Sequence, residues 1–467
     1  MQDFDEKQPD RKEVILRFER MLKNHERPFF DLDTYEHITE HYIEQANWTR
    51  ALQACDLGLE NYPYSLELML DKAHTLSHSS RFEEALELVE RASLFNPNDI
   101  DVMYVEGHIY NLMGEPNRAI EVYQKMLYYA SDDDRNEIFF QMGQSYQNLA
   151  DYTGAIEYYK KAIELNINNE SALYELAFCL DLTNELETSI DYYNELIEKD
   201  PYSHNAWYNL GIVYSKLGKF EDALFAYDYA VVIKEDFASA HFNMANSYMN
   251  LGKFEQANES YLLTMNYEPA TADLYCHLGA SYEKLGLFQK ALSCFRDAVK
   301  LDESWDEGWY GIASCMTAEG RFIEAMSCIR KALKINEFEV DYWLMLGQLE
   351  YKIGNVFSAN EAFEKASEIE PDYEEVWLQW SLMYFDQKDY KRAYELIQDG
   401  LDSAPEDASL YYRGAAYLIH AGDYREAMLN LEIALTLDYE AHTQLFDFFP
   451  EIEKQKAIYK LIEQYRK

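Results

Sequence analysis

Glycine and proline are scarce in this chain of 467 residues, which contains 18 and 10 of them respectively. Because turns draw on these two residues, their scarcity argues against a turn-rich β protein and favours helices. Basic residues are also few: 41 Lys and Arg stand against 85 Asp and Glu, which gives a formal net charge of −44. Such a surface repels a phosphate backbone, so nucleic acid is excluded as an expected partner.

Cysteine pairs and long apolar runs are missing as well. None of the six cysteines belongs to a C-x-x-C pair, and we expect reduced thiols in a helical core and a reducing compartment. No window of about 18 consecutive apolar residues could span a bilayer, and the N-terminal MQDFDEKQPDRK lacks an apolar signal region. The sequence therefore predicts a cytoplasmic protein without a membrane span.

Internal repetition dominates what is present. Twelve units of 34 residues tile residues 32–441, with two extra residues near Ser131–Arg135. The units begin at residues 32, 66, 100, 136, 170, 204, 238, 272, 306, 340, 374 and 408. Position 8 of every unit is small, and position 20 is alanine in eleven units and Ser189 in the other. Small residues in both helices of a pair let their backbones approach closely.

Each unit has the pattern of a helix, a turn and a second helix. Aromatic residues recur at position 4, for example Tyr35, Trp207 and Trp309, and at position 11, where Tyr42 is the first. We expect these rings in the core. Glycine at position 15 ends the first helix in seven units, and proline at position 32 follows the second helix in six.

These columns resemble the tetratricopeptide repeat family, whose W-x-x-L-G-x-x-Y…A-x-x-x-F…A…P pattern is closely matched by WYNLG at residues 207–211. The resemblance implies an all-α fold, a right-handed α-solenoid of about twelve helix-turn-helix repeats. Apolar faces outside the array predict one capping helix within residues 1–31 and another within residues 442–467. Their apolar residues are Val14, Ile15, Phe18, Met21 and Leu22, and Ile452, Ile458, Leu461, Ile462 and Tyr465.

The signature H-x-x-E-H of inverted zinc proteases is spelled by His37, Glu40 and His41. It lies inside the first helix of the first repeat, between Tyr35 and Tyr42. A metal-dependent hydrolase needs a further ligand and a substrate cleft from outside that helix, and no non-repeat domain supplies them. We therefore predict no catalytic residues and no enzyme, with the hydrolase as the enzymatic alternative.

Five histidines on the first helices of repeats 1 to 3 are candidate metal ligands: His37, His41, His74, His78 and His108. Adjacent first helices pack about 8–10 Å apart, so a shared ion is geometrically feasible. The other interpretation is a polar groove wall of uncoordinated imidazoles. We favour the second interpretation and predict neither a metal nor another cofactor.

The resemblance implies that positions 2, 5, 6, 9 and 13 of each first helix line a concave groove. The candidate peptide-binding residues at these positions are Asn205, Tyr208, Asn209, Phe242, Asn243, Asn246 and His277. The asparagines are similar to the amide row with which repeat arrays of the glycosyltransferase kind hold an extended peptide, because an amide both donates and accepts. The alternative is that asparagine and tyrosine occupy these positions for packing alone.

The groove positions also carry carboxylates, among them Asp33, Glu36, Glu67 and Asp101, whereas Arg413 is the basic exception. In this family a clamp for the acidic tails of chaperones needs Lys or Arg there, so a chaperone clamp is disfavoured. Acids in the first turn of a helix also complement the helix dipole. If part of the acidity faces inward, the fitting partner is a basic or neutral extended segment.

We therefore predict a non-enzymatic adaptor or scaffold that holds an extended peptide or helix of a partner protein in its groove. The second hypothesis is a co-chaperone or assembly factor that shields basic client proteins. The third is the metal-dependent hydrolase suggested by residues 37–41. The sequence leaves the partner's identity and the oligomeric state open.

Overall fold

The computed structural model describes residues 11–24, 26, 29–448 and 456–466. In this part of the chain every regular element is a helix, and no strand is formed. The all-α prediction is therefore confirmed. Contacts divide the chain into two compact units, Met1–Asp236 and Phe237–Lys467.

The first unit begins with one helix and continues with six helix pairs, from α2–α3 to α12–α13, which coincide with the first six repeats. Its helices are α1 (Arg11–Lys23), α2 (Leu32–Glu44), α3 (Trp48–Asn61), α4 (Leu66–His78), α5 (Phe82–Phe95), α6 (Ile100–Leu112), α7 (Pro116–Met126), α8 (Asp132–Asn148), α9 (Tyr152–Leu165), α10 (Glu170–Leu182), α11 (Leu186–Lys199), α12 (His204–Lys216) and α13 (Phe220–Ile233).

The second unit contains the other six pairs, from α14–α15 to α24–α25, and then a short 3₁₀ helix (Glu440–Gln444) and two further helices. Its α-helices are α14 (Ala238–Asn250), α15 (Phe254–Tyr267), α16 (Ala272–Lys284), α17 (Phe288–Leu301), α18 (Asp306–Ala318), α19 (Phe322–Ile335), α20 (Val340–Lys352), α21 (Val356–Ile369), α22 (Glu374–Asp386), α23 (Tyr390–Ser403), α24 (Ala408–Ala421), α25 (Tyr424–Leu437), α26 (Leu445–Phe448) and α27 (Lys456–Tyr465).

The turn inside each pair places position 15 in the left-handed backbone region in all twelve repeats. Seven of these residues are glycines, with φ between 68° and 92°. The others are Ala46, Ser80, Ala150, Asn184 and Lys388, with φ between 52° and 64°. A side chain at positive φ brings its Cβ against the following carbonyl at a cost of about 1–2 kcal/mol. The repeat geometry, and not the residue type, therefore fixes this turn.

Close approach of the two helices explains the small-residue columns. The eleven alanines at position 20 are at most 1% exposed. A Cβ added to Gly211 would lie 2.4 Å from the Tyr227 ring, and one added to Gly143 would lie 2.5 Å from the Tyr159 ring. No larger residue fits against these rings without repacking. The prediction that small residues let the helices approach is confirmed.

The aromatic residues of positions 4 and 11 are less uniformly buried than predicted. Tyr35 is fully buried, whereas Trp207 and Trp309 are half-buried. The indole N–H of Trp207 donates to the carbonyl oxygen of Pro201 at 3.1 Å, and that of Trp309 donates to Glu303 at 3.0 Å. Because a buried indole needs an acceptor, these rings lie at the edge of the core. Both rings nevertheless pack against clusters of buried residues, in line with the prediction that they lie in the core.

The terminal helices cover the ends of the described array. Phe18 of α1 is fully buried, and its ring centroid lies 6.1 Å from that of Tyr42 in the first repeat. Ile458 and Leu461 of α27 are buried in one cluster with Leu431 of the last repeat. Residue Ile452 lies outside the described residues. The exact boundaries proposed for the array and its capping segments stay predictions.

Two further features concern the whole described chain. All six cysteines lie in the described part, where they are buried and unpaired. No helix in that part is both long and apolar enough to cross a membrane.

Candidate functional site

In the second unit, three of the predicted binding residues surround the ring of Tyr261. The Phe242 ring centroid lies 5.7 Å from that of Tyr261 and 5.2 Å from that of His277. The Tyr261 hydroxyl donates to Asn246 Oδ1 at 2.6 Å. These four residues, which we call the amide–aromatic group, come from α14, α15 and α16 because positions 5, 9, 6 and 24 of successive helices meet there.

Polar atoms at the edge of the amide–aromatic group remain accessible. His277 Nε2 lies 3.3 Å from Asp273 Oδ1, and the two side chains are 41% and 42% exposed. Asn243 is half-buried on α14, one position after Phe242. The group therefore offers a ring, an imidazole and amides at intermediate exposure. Asn246, however, already accepts a hydrogen bond, which favours a packing role for its amide oxygen.

In the first unit, the predicted amides are less accessible. Asn205 and Asn209 are each 3% exposed. Asn205 Nδ2 donates to Glu170 Oε1 at 3.2 Å, and Asn209 Nδ2 donates to the carbonyl oxygen of Asn205 at 2.9 Å. The half-buried Tyr208 packs its ring 5.9 Å from that of Tyr227. The amide of Asn205 thus links α12 to α10, that of Asn209 bonds within α12, and the role of both in peptide binding stays a prediction.

Four carboxylates form a carboxylate cluster on the first helices of repeats 1 and 2: Glu36 and Glu40 on α2, and Glu67 and Asp71 on α4. In the described chain no Lys or Arg forms an ion pair with these four, since the nearby Lys72 pairs with Asp56 at 2.6 Å. Glu36 and Glu67 were among the carboxylates predicted to line the groove, whereas Glu40 was considered only as part of the H-x-x-E-H string. Asp71, at position 6 of the second repeat, was not predicted.

Asp71 is the most strongly affected member of the carboxylate cluster. Burial, followed by the charges of Glu67, Glu36 and Glu40, raises the pKa of Asp71 to about 7. Burial and the charge of Glu67 also raise the pKa of Glu36. Both shifts have the same physical cause, which is negative charge held at reduced solvation without a cation.

Three of the five candidate metal ligands converge into a histidine cluster, which consists of His74 and His78 on α4 and His108 on α6. One nitrogen of each imidazole lies within 4.8 Å of the corresponding nitrogens of the other two. His74 Nε2 and His78 Nε2 are 3.2 Å apart. The i, i+4 spacing puts the first two on one helix face, and position 9 of the next repeat brings His108 beside them.

The environment keeps these imidazoles neutral. Burial, and secondarily the neighbouring imidazoles of His78 and His108, lower the pKa of His74 to about 4. Burial likewise lowers the pKa of His78 and of His108. The Trp48 ring stacks on the His78 ring with a centroid distance of 4.4 Å and an interplanar angle of 3°. The indole therefore fixes the orientation of the outermost ligand candidate.

The other two candidates, His37 and His41, do not join the histidine cluster. His37 Nδ1 lies 3.6 Å from Glu40 Oε2, and His41 Nε2 lies 3.2 Å from Gln45 Nε2. Within the described residues, the histidine cluster is the one group of three or more potential ligands at metal-binding distance. The H-x-x-E-H string thus forms local helix contacts rather than part of that group.

Together, the paired helices with small residues at their crossings, the invariant left-handed turn and the polar first-helix faces define a helical-repeat protein. Family models of the tetratricopeptide repeat match seven consecutive repeats, at residues 100–133, 137–169, 171–203, 204–237, 238–270, 272–304 and 306–338. The chain therefore belongs to the tetratricopeptide repeat family.

Two proteins with similar sequences come from Schizosaccharomyces pombe and Methanocaldococcus jannaschii. The chain is 25% identical over 121 residues to the general transcriptional corepressor ssn6 of Schizosaccharomyces pombe, which is 26% of this chain and 11% of the relative. It is 27% identical over 149 residues to the TPR repeat-containing protein MJ1428 of Methanocaldococcus jannaschii, which is 31% of this chain and 26% of the relative. These matches span only a minor part of either relative.

Among solved structures, a tetratricopeptide repeat protein from Parabacteroides merdae is 16% identical, with a TM-score of 0.42. The match covers 54% of this chain and 99% of that protein. Tetratricopeptide repeats are protein–protein interaction modules, so at this level the chain is a protein-binding scaffold. What it binds, and through which face, has to be argued from its own residues.

Proposed function

We propose that this scaffold binds an extended, basic segment of a partner protein across the first helices of repeats 1 and 2. The observation that carries the proposal is the carboxylate cluster, in which Asp71 is held beside Glu36, Glu40 and Glu67 without a Lys or Arg partner. A protein usually compensates such crowding with its own cations. Here an external cation is the missing component.

The energetics favour a Lys or Arg side chain as the ligand. A cation placed between Asp71 and Glu67 gains attraction from both carboxylates and removes their mutual repulsion. Because Asp71 has a pKa of about 7, a bound cation also shifts Asp71 to its ionised form, which couples binding to proton release. The affinity of the carboxylate cluster for a cation therefore rises as the pH rises toward 8.

The amide–aromatic group supplies a second, less charge-dependent contact. Phe242 and His277 present half-exposed rings, and Asn243 lies beside them with its amide. Aromatic rings at intermediate exposure are common anchors for apolar side chains, and amides suit main-chain groups. We therefore propose that this group, within the second unit alone, binds a neutral extended segment.

A peptide array tests the basic-segment proposal directly. Extended peptides of matched length, with Lys, Gln or Glu at alternate positions, would be titrated into the full chain at low and moderate salt. We expect the Lys series to bind best and to weaken several-fold as the salt concentration rises, because surface charges are screened. Preference for the Glu series would contradict the proposal.

Two matched double variants locate the binding surface. Glu67→Gln with Asp71→Asn removes two charges from the carboxylate cluster. Glu87→Gln with Glu90→Gln removes two charges from the exposed side of α5. We expect about a tenfold loss of Lys-peptide affinity in the first variant and little change in the second. Equal losses in both variants would mean that net charge alone drives binding. The proposal that the carboxylate cluster is the binding surface would then be wrong.

The co-chaperone hypothesis makes the same charge prediction but requires a different ligand. A factor that shields basic clients should bind an unfolded basic protein better than a short Lys peptide of equal charge. Competition between the two ligands for the carboxylate cluster separates this hypothesis from simple adaptor binding.

A further inference from the structure

Two nitrogens of the histidine cluster lack partners. His74 Nδ1 and His108 Nε2 are buried and form no hydrogen bond within the described chain. A buried nitrogen without a partner costs roughly 1–3 kcal/mol. A metal ion bound by His108 would give its Nε2 a partner, whereas packing alone does not explain that atom, because an apolar side chain would fill the same space without the cost.

The contact between His74 and His78 also favours a ligand bound by the histidine cluster. Their Nε2 atoms are 3.2 Å apart, so one ring must donate a proton to the lone pair of the other. A metal cation can replace that shared proton and accept both lone pairs. The tautomer in which both nitrogens are free of protons is then the one that binds.

The distances between the imidazole nitrogens of the cluster are close to those of a zinc site. Two nitrogens bound to the same tetrahedral zinc ion, at about 2.0–2.1 Å each, are about 3.3 Å apart. The three imidazoles of the cluster already offer nitrogens within 4.8 Å of one another. Because His74 Nε2 and His78 Nε2 are already 3.2 Å apart, the remaining difference is a rotation of His108 about its side-chain bonds.

We propose that the histidine cluster binds a divalent transition-metal ion, with zinc as the best fit, through His74, His78 and His108. Three neutral imidazoles suit zinc, whereas magnesium and calcium prefer oxygen ligands. The ion would join α4 of repeat 2 to α6 of repeat 3. Three protein ligands leave a fourth tetrahedral position for water or for a side chain of a bound partner.

The surroundings favour this assignment over a purely aromatic cluster. Trp48 stacks on His78 and so holds the outermost ring in place without using a ring nitrogen. An outer contact of this kind orients a ligand before the ion arrives. Stacking explains the ring position of His78, but it leaves the unpartnered Nε2 of His108 unexplained.

Zinc titration of the metal-stripped full chain, prepared without a histidine tag, tests the proposal. Isothermal titration calorimetry would be run in excess Mg²⁺, so that the many surface carboxylates are occupied by an ion that prefers oxygen. We expect about one zinc ion per chain and a rise in Tm with zinc concentration, because an ion that binds only the folded state stabilises it. Stoichiometry below about a tenth of an ion per chain overturns the proposal.

Three variants assign the ligands. His78→Ala removes an exposed ligand at the end of α4, and His78→Phe removes the same ligand while keeping a ring that can stack on Trp48. We expect both to bind zinc at least about tenfold more weakly and to lose the zinc-dependent Tm rise. The control, His37→Ala with His41→Ala, should bind like the wild type. Wild-type affinity in both His78 variants would show that the zinc is held elsewhere and would refute the site.

Discussion

The carboxylates of repeats 1 and 2 and those of repeats 9 and 10 all lie on first helices but are compensated differently. In repeats 9 and 10, Asp306 accepts hydrogen bonds from the Tyr342 hydroxyl at 3.1 Å and from Asn336 Nδ2 at 3.2 Å. Asp341 accepts one from the Tyr373 hydroxyl at 3.2 Å. In repeats 1 and 2, Asp71 faces other carboxylates instead.

This difference shows how one repeat scaffold makes two kinds of acidic surface. Where neighbouring repeats supply tyrosine hydroxyls, the carboxylates are satisfied within the fold and contribute to its stability. Where the neighbouring repeat supplies more acids, as around Asp71, the carboxylates raise one another's pKa instead. Net charge, which is −44 for the chain, therefore does not by itself identify a binding surface.

The largest expected effect is that of Asp71→Asn, which removes one negative charge from the carboxylate cluster of repeats 1 and 2. The folded state raises the pKa of Asp71 from its ordinary value of 3.8 to about 7. Below about pH 4 the folded and unfolded states both bind the proton, so Asp71 carries no penalty. As the pH rises to about 7, ionisation stabilises only the unfolded state, and the stability contributed by the bound proton is lost.

Asp71→Asn should therefore stabilise the protein by about 2–3 kcal/mol at pH 8 and by almost nothing at pH 4. Thermal unfolding followed by far-UV circular dichroism at the two pH values measures this difference. Glu87→Gln, on the exposed side of α5, is the control and should show no such pH dependence. A stability gain that is the same at both pH values would mean that the cause is packing rather than charge.

A smaller effect is expected from Tyr342→Phe, which removes the hydroxyl that donates to Asp306 in repeats 9 and 10. The substitution removes one of the two side-chain donors to Asp306 and leaves Asn336 as the other, and it should destabilise the second unit by about 1 kcal/mol. Tyr310→Phe is a matched control, because the two rings stack with centroids 5.1 Å apart and the Tyr310 hydroxyl has no hydrogen bond to Asp306. Urea unfolding at pH 7 measures both. Equal destabilisation would assign the effect to ring packing.

The sequence predicted the scaffold well because the repeat imposes it. Columns of small residues require close helix crossings, so positions 8 and 20 and the helix boundaries followed from spacing alone. The core position of Trp207 and Trp309 was predicted, but their partial exposure was not, because apolar character does not show that the indole N–H needs an acceptor. The family resemblance also gave no warning that Asn205 and Asn209 donate to groups of their own unit.

The candidate sites were predicted only in part, because they depend on contacts between repeats. The five histidines were visible in the sequence, but which three meet depends on how far α4 and α6 are offset. His74 and His78 follow from i, i+4 spacing, whereas His108 requires the register of the next repeat. The contribution of Asp71 was missed because its raised pKa arises first from burial and then from Glu67, Glu36 and Glu40, and neither its burial nor the approach of α2 can be read from the sequence of α4.

The smallest expected effect concerns the turn, which also differs between the two units. Four of the six residues at position 15 are not glycine in the first unit, and Lys388 is the single exception in the second. Ala150 has φ of 57° and is exposed, so Ala150→Gly removes backbone strain without changing a contact. The gain is reduced because glycine also makes the unfolded chain more flexible.

We therefore expect Ala150→Gly to stabilise the first unit by about 0.5 kcal/mol. The reverse substitution, Gly114→Ala, should destabilise it by a similar amount, since an added Cβ at Gly114 meets nothing within 4 Å and the backbone alone decides the sign. Urea midpoints measured at constant m-value compare the pair. Opposite shifts mean that the repeat geometry holds non-glycine residues in the left-handed region against their preference. Shifts of the same sign mean that the backbone of the turn adjusts to the residue at position 15. The uniform turn would then result from the sequence and not from the repeat geometry.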